Sequence, residues 1–397
     1  MSGRRRRDCS LAPYVDGYRQ LLLSLGYTPG SVCNQLAVVG HLGRWMAVRR
    51  IAVDRLGRAE IDAFVAESRR GGGRQRVFRS GLLVLRQHLI EVGAVPPAPP
   101  AVRSALDELI DNYRGWLLGD RGLAEATVRR YESTARRFLA QRRGGVEVAD
   151  LSGAEVSGFL LVETGRCSVG AAKGCVAELR SLLRYLFVTG QIPVGLAAAV
   201  PPVAGWHDTG IPPALPAEMI QALLDSCDRA STVGIRDFAV LMLLARLALR
   251  SIEIARLQLE DVHWRAGEIT IRGKARRLDR LPLRADVGQA LAGYLVDARP
   301  ASHLRQLFLT CRAPRRGITA DAVSDVVQGA CVRAGVPVIG PHRLRHAAAT
   351  GLVTQGVTLT DISQVLRHRD LATTATYAKV DLVSLRTVAR PWPGAQR

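Results

Sequence analysis

Pro341-His342-Arg343-Leu344-Arg345-His346, then Leu366-Arg367-His368, then Leu371-Ala372-Thr373-Thr374-Ala375-Thr376-Tyr377 is the run on which the reading of this chain turns. Tyr377 stands nine residues after His368 and thirty-two after Arg345. A helix through His342 and Arg345 puts both on one face, within reach of a single phosphate, and turns Leu344, Ala348 and Ala349 toward a core. Leu359 to Leu366 reads as an apolar helix, with His368 just beyond it. A tyrosine that follows this series of cations points to a nucleophile serving a phosphate. Taken singly the parts are weak: His-x-x-Arg is common, and a His past a helix end is more often a surface cap.

Upstream, Leu247-Ala248-Leu249-Arg250-Ser251-Ile252-Glu253 places an arginine at the end of an apolar helix with a carboxylate three residues on. The planar fork of Arg250 matches two phosphate oxygens, and Glu253 can hold it in place. The same spacing also describes an ordinary helical ion pair. Glu268 to Arg272 and Arg277 to Leu283 alternate like two strands around a turn at Gly273-Lys274-Ala275. The chain has only three lysines, Lys173, Lys274 and Lys379, among 55 basic residues, and one of them sits on this turn. Lysine can give up a proton where arginine cannot, so it suits a general acid for an alkoxide leaving group.

The 55 Lys and Arg outweigh 35 Asp and Glu, a formal charge of +20 over 397 residues. Such an excess favours a polyanion through release of condensed counterions, although a basic tail alone can also raise the charge. An apolar share of 48% is ample for cores, and the length fits two or three domains. Seven cysteines form no C-x-x-C pair, which predicts reduced thiols in a cytosol and no structural zinc. Met1 to Asp8 has the charge of a signal n-region but no apolar segment after it, so it reads as a basic arm. The longest apolar run, Phe238 to Leu249, carries Arg246 and falls short of the ~20 residues that span a bilayer. The expectation is a cytoplasmic protein with no membrane partner.

Two proline-rich stretches, Gly93 to Pro100 and Pro193 to Pro216, cannot be helix interiors and set boundaries near residues 100 and 207. The segments before the second boundary look like copies about 95 residues apart. Tyr18 matches Tyr113, Gly26 Gly122, Val32 Val128, Leu42 Phe138, Glu60 Glu155, Phe64 Phe159 and Gly93 Gly190. Each copy reads as three or four amphipathic helices. Arg129, Arg130, Arg136 and Arg137 lie on the face opposite Val128, Tyr131, Ala135 and Phe138, and are candidate DNA contacts or simply a solvated face. The region from 207 on reads as helical with one small sheet.

With Arg250, Lys274, His342, Arg345, His368 and Tyr377 in this order, the chain resembles the tyrosine recombinase superfamily, phage integrases and Xer-like enzymes included. The motifs are Ala248-Leu249-Arg250-x-x-Glu253, Gly273-Lys274, Pro341-His342-x-Leu344-Arg345-His346 and Leu366-x-His368-x-x-Leu371-x-Thr373-Thr374-x-x-Tyr377. They cover about residues 207 to 380, and residues 104 to 200 resemble, less specifically, the family's helical core-binding domain.

The resemblance implies a mainly α fold with a small antiparallel sheet in the catalytic domain, plus SAM-like helical core-binding domains. The division would be 1–100 (a duplicate of the core-binding module), 101–206 (core-binding) and 207–397 (catalytic, with a carboxyl-terminal tail). It implies that Tyr377 attacks a DNA phosphate and forms a 3′-phosphotyrosyl bond, while Arg250, Arg345 and His368 stabilise the transition state. Lys274 would protonate the 5′-oxygen, His342 would act as acid or base, and Glu253 would orient Arg250. No metal or other cofactor is required. The implied partners are double-stranded DNA bearing a target site and a homo- or hetero-tetramer, in a nucleoid-associated setting. Relaxation by a type IB topoisomerase, or a catalytically silent DNA-binding partner of other recombinases, are the alternatives. The family has an amphipathic tail that docks on a neighbouring subunit, and Lys379 to Ala389 has that pattern. Two departures stand out: Ala248 and Arg367 replace the family's usual glycines, and Arg367 is expected either to alter its turn or to add a phosphate contact.

Overall fold

The computed structural model describes residues 10–70, 78–97, 103–142, 147–203, 215–273 and 277–367. By contact the chain divides into two compact units, Met1–Pro96 together with Gly210–Arg397, and Pro97–Thr209. The fold is mainly α with a small antiparallel sheet, and no helix among the described residues is long and apolar enough to cross a membrane.

Pro97–Thr209 holds four helices that belong to one core, numbered here in chain order after the four of the amino-terminal segment: α5 (Ala105–Gly119), α6 (Glu125–Ala140), α7 (Gly153–Thr164) and α8 (Val169–Val188). Ser104 and Ser152 start α5 and α7 through reciprocal capping boxes with Asp107 and Glu155, which satisfy otherwise orphaned amides. Tyr113, Val128, Phe138, Leu179 and Leu186 fill the centre.

The other unit begins with α1 (Val15–Ser24), α2 (Pro29–Val48), α3 (Arg58–Arg70) and α4 (Arg79–Glu91), around Tyr18, Leu22, Leu42, Met46 and Leu85. The positions paired by sequence take like environments in the two segments. Tyr18 and Tyr113 are fully buried, Phe64 and Phe159 are buried, and Gly26, Gly122, Gly93 and Gly190 all have positive φ. Glu60 and Glu155 each accept a hydrogen bond from the backbone amide three residues earlier. After α1 the chain meets the loop at 310–316, where the Arg315 amide donates to the Leu25 carbonyl at 2.8 Å. A Cβ on Gly26 would run into Arg315 Cγ, and its φ of +80° also favours glycine there.

The carboxyl-terminal part of this unit packs α9 (Ala217–Asp225), α10 (Thr232–Arg246), α11 (Ser251–Arg256), α12 (Ala285–Gly293, continued by a π turn to Ala298), α13 (Ala320–Ala334), α14 (Pro341–Thr354) and α15 (Leu359–Leu366). Its core runs from Leu223 through Leu241, Leu243, Ile271, Tyr294 and Phe308 to Leu344. The sheet has β1 (Val262–His263), β2 (Glu268–Arg272) and β3 (Leu278–Pro282) in that order, with Ile269 opposite Leu281 and Ile271 opposite Asp279. The two alternating strands are where the sequence puts them. β1 is an addition, since two residues carry no readable period. α10 stops at Arg246, three residues short of the expected Leu249, because Ala248 takes φ +50° and turns the chain out of the helix.

Candidate active site

Three pieces of chain converge at the carboxyl ends of α10 and α15 and on α14. A small separate core of Ala248, Ala349, Val353, Ile362 and Leu366 holds them together. Pro341 opens α14, where its missing amide hydrogen costs nothing and its fixed φ suits the first turn. Thr358 caps α15 by accepting from the Asp361 amide at 3.2 Å.

Arg250 is the cap residue of α11, with extended φ and ψ. Its backbone amide donates to Glu253 Oε2 at 2.8 Å and its Nη1 donates to Oε1 at 2.7 Å, so one carboxylate holds both ends of the residue. Glu253 is buried. Burial works to raise its pKa, but the charge of Arg367 and the hydrogen bonds from Arg250 outweigh it and leave the carboxyl below its ordinary value, ionised at neutral pH.

Arg345 is buried, 2% exposed. Its Nη1 donates to the Ala248 carbonyl and its Nη2 to the Leu366 carbonyl, which fixes the plane of the guanidinium between the segments that carry Arg250 and Arg367. His342, one turn earlier on α14, is exposed. The two residues lie on one helix, as the spacing predicts, with Arg345 held inward by the two backbone carbonyls. His342 stacks edge-to-face on His346 with ring centroids 4.5 Å apart.

Desolvation first, then the positive charges of Arg345 and Arg250, hold the His342 pKa below 6.5. Desolvation, then His342, Arg345 and Arg343, lower that of His346. Both imidazoles are thus neutral at pH 7, the form a proton acceptor needs. On acidification below about 6.5 the unfolded chain takes up these protons before the folded one. The contribution to stability is therefore complete above that pH and is lost as the pH falls through the depressed folded values. The melting temperature is expected to drop as the pH falls below about 6.5, and a His342→Gln, His346→Gln protein is expected to show a shallower drop. An identical slope in that protein would contradict the linkage.

Sequence reasoning missed the partner of Glu253 on its far side. Arg367 ends α15 in the left-handed region, φ +55° and ψ +45°, and its Nη2 donates to Glu253 Oε2 at 2.8 Å. A non-glycine residue pays ~1–2 kcal/mol for that backbone conformation. Arg367 thus adopts the left-handed backbone that glycine favours, and its side chain is turned onto Glu253. Ala248, at the other usual glycine, is also left-handed. The one clue in the sequence was a long cationic side chain at a position that favours glycine.

Lys274, His368, Tyr377 and the segment from Lys379 to Ala389 lie outside the described residues. Gly273 is described, and its amide donates to the Arg277 carbonyl at 2.8 Å where β2 gives way to β3. In the other unit, Arg129, Arg130, Arg136 and Arg137 are exposed on α6. Arg130 pairs with Glu178, Arg136 with Asp107 and Arg137 with Glu163, while Arg129 forms no ion pair with another described residue. Only the Arg136–Asp107 pair is exposed on both sides and so worth about 0–1 kcal/mol; Glu178 and Glu163 are largely covered, and their arginines are costlier to draw away.

Residues 213–382 match the phage integrase family profile. The putative integrase/recombinase y4rA of Sinorhizobium fredii is 36% identical, over 97% of this chain and 95% of its own length. Tyrosine recombinase XerD of Listeria monocytogenes is 28% identical over 71% of this chain and 97% of its own. Among solved structures, XerH site-specific recombinase in a post-cleavage complex with a palindromic difH substrate aligns with 84% of this chain and 94% of that one, with a TM-score of 0.55 and 18% identity. The last shows a shared fold, and the first, being close and nearly full-length, shows kinship: this chain belongs to the phage integrase family of tyrosine recombinases.

Proposed function

We propose that the protein is a site-specific DNA recombinase that breaks and rejoins strands through a 3′-phosphotyrosyl intermediate. The observation that carries this reading is the clamp of Arg345 on the Ala248 and Leu366 carbonyls, which ties the segments that carry Arg250 and Arg367 to the helix that carries His342. Such a cluster of fixed donors suits a phosphate that gains charge as it becomes pentacoordinate.

In this reading the Tyr377 oxygen attacks the scissile phosphorus and passes its proton to neutral His342. The bond from phosphorus to the 5′-oxygen breaks, and Lys274 supplies the proton that makes a 5′-hydroxyl. Arg250, Arg345 and His368 hold the non-bridging oxygens. The phosphodiester energy is kept in the adduct, so a 5′-hydroxyl from another strand reverses the step and completes exchange without a nucleotide cofactor. Exchange in pairs through a Holliday junction requires a DNA-bound tetramer, in a nucleoid-associated setting. The two helical segments before residue 207 are read as a duplicated DNA-gripping module, with the exposed arginines of α6 among its phosphate contacts.

The test is to recover and sequence DNA covalently attached to the wild-type protein in cells carrying its host genome. Adducts at a discrete site, with a free 5′-hydroxyl on the other end, are the expected result. Adducts scattered over unrelated sequences would replace recombination with relaxation, and no adducts would leave a binding role only.

A further inference from the structure

Glu253 sits between two guanidinium groups. The Arg250 guanidinium reaches Oε1 at 2.7 Å, and that of Arg367 reaches Oε2 at 2.8 Å. The Arg367 side chain is 3% exposed, its Nη1 donates to the Val365 carbonyl at 2.9 Å, and its Nε has no hydrogen-bond partner among the described residues. This is an expensive arrangement for a turn that glycine would make without strain. Its charge balance is informative. With Arg367 present the trio is net positive, and without it Glu253 and Arg250 would cancel. The carboxylate would also be free to turn wholly onto Arg250 and draw it away from an incoming anion.

We propose that Arg367 is a positioning residue for Arg250: acting through Glu253, it keeps the Arg250 guanidinium oriented and its charge available to the scissile phosphate. The inference rests on the reading above that Arg250 meets that phosphate. Arg367 touches neither substrate nor reacting atoms in this account. It also ties the end of α15 to the cap of α11, so the two segments move together.

The experiment compares the full-length wild type with Arg367→Gly, Arg367→Lys, Arg367→Gln and Arg367→Gly combined with Glu253→Gln. The probe is a duplex carrying the genomic site captured by the wild-type protein, and the readouts are single-turnover cleavage, DNA Kd and melting temperature. Arg367→Gly is expected to cleave about 10- to 100-fold more slowly, less than or equal to the loss of a direct donor, with Kd little changed. Arg367→Lys keeps the charge and is expected to recover most of the rate. Glu253→Gln added to Arg367→Gly is expected to recover part of it, because it removes the uncompensated negative charge.

A merely structural Arg367 predicts the reverse for that last protein, since a second buried change would add to the damage. If Arg367→Gly does not fold, Lys against Gln decides: cleavage faster with Lys supports the proposal, and equal rates overturn it. Wild-type cleavage with an unimpaired Arg367→Gly overturns this inference alone. A wild type that captures no site and cleaves no duplex overturns the parent reading and this one with it.

Discussion

Arg345→Ala is expected to lower strand cleavage by about 10²–10³ and to destabilise its unit by about 3–5 kcal/mol. The stability loss has two sources. The guanidinium fills interior space at 2% exposure, and its removal leaves a cavity among α14, α15 and the turn at Ala248. It also strands the Ala248 and Leu366 carbonyls, each of which loses a charged donor. Against a typical total of 5–15 kcal/mol this is a large fraction. Arg345→Lys separates the two roles. An ammonium keeps the charge and can satisfy one carbonyl, but a point charge cannot bridge two segments with a planar fork. It is therefore expected to recover more of the stability than of the rate. Urea melts and single-turnover cleavage on the same preparations check both, and a stability loss below about 1 kcal/mol for Arg345→Ala would show that the clamp contributes little.

The second large effect is that of Tyr377→Phe, which removes one oxygen and leaves the ring. Folding and DNA affinity are expected to match wild type, because the substitution keeps a ring of the same shape. Covalent chemistry is expected to vanish, because no other hydroxyl in the motif run occupies the nucleophile's place in the order. The contrast matters more than the loss itself. A variant that lost binding as well would point to misfolding rather than to a missing nucleophile.

How much of this was legible from sequence depended on whether local chemistry or distant partners decided each feature. α15 ends at Leu366 as the apolar spacing requires, and β2 follows its alternation from Glu268 to Arg272. The pairing of Glu253 with Arg250 was legible because the two are three residues apart. The pairing of Glu253 with Arg367 was not, because 114 residues separate them and only the folded chain brings them to 2.8 Å. Likewise the position of Arg345 on its helix could be read, but its burial could not. Burial follows from two carbonyls exposed by left-handed turns at Ala248 and Leu366-Arg367, and neither residue type advertises such a turn. The burial of Tyr18 and Tyr113 and the positive φ of Gly26, Gly93, Gly122 and Gly190 follow from residue type, whereas the partners of the α6 arginines required the surface to be assembled first.

The account stands or falls on Tyr377. The direct measurement is to trap the protein on a nicked duplex carrying its site, digest the complex with protease and nuclease, and identify the nucleotide-bearing peptide by mass spectrometry, with Tyr377→Phe alongside. A nucleotide linked through its 3′-phosphate to Tyr377 in wild type, and no adduct in Tyr377→Phe, is the result predicted. A nucleotide on any other residue, or an adduct that persists in Tyr377→Phe, would contradict it.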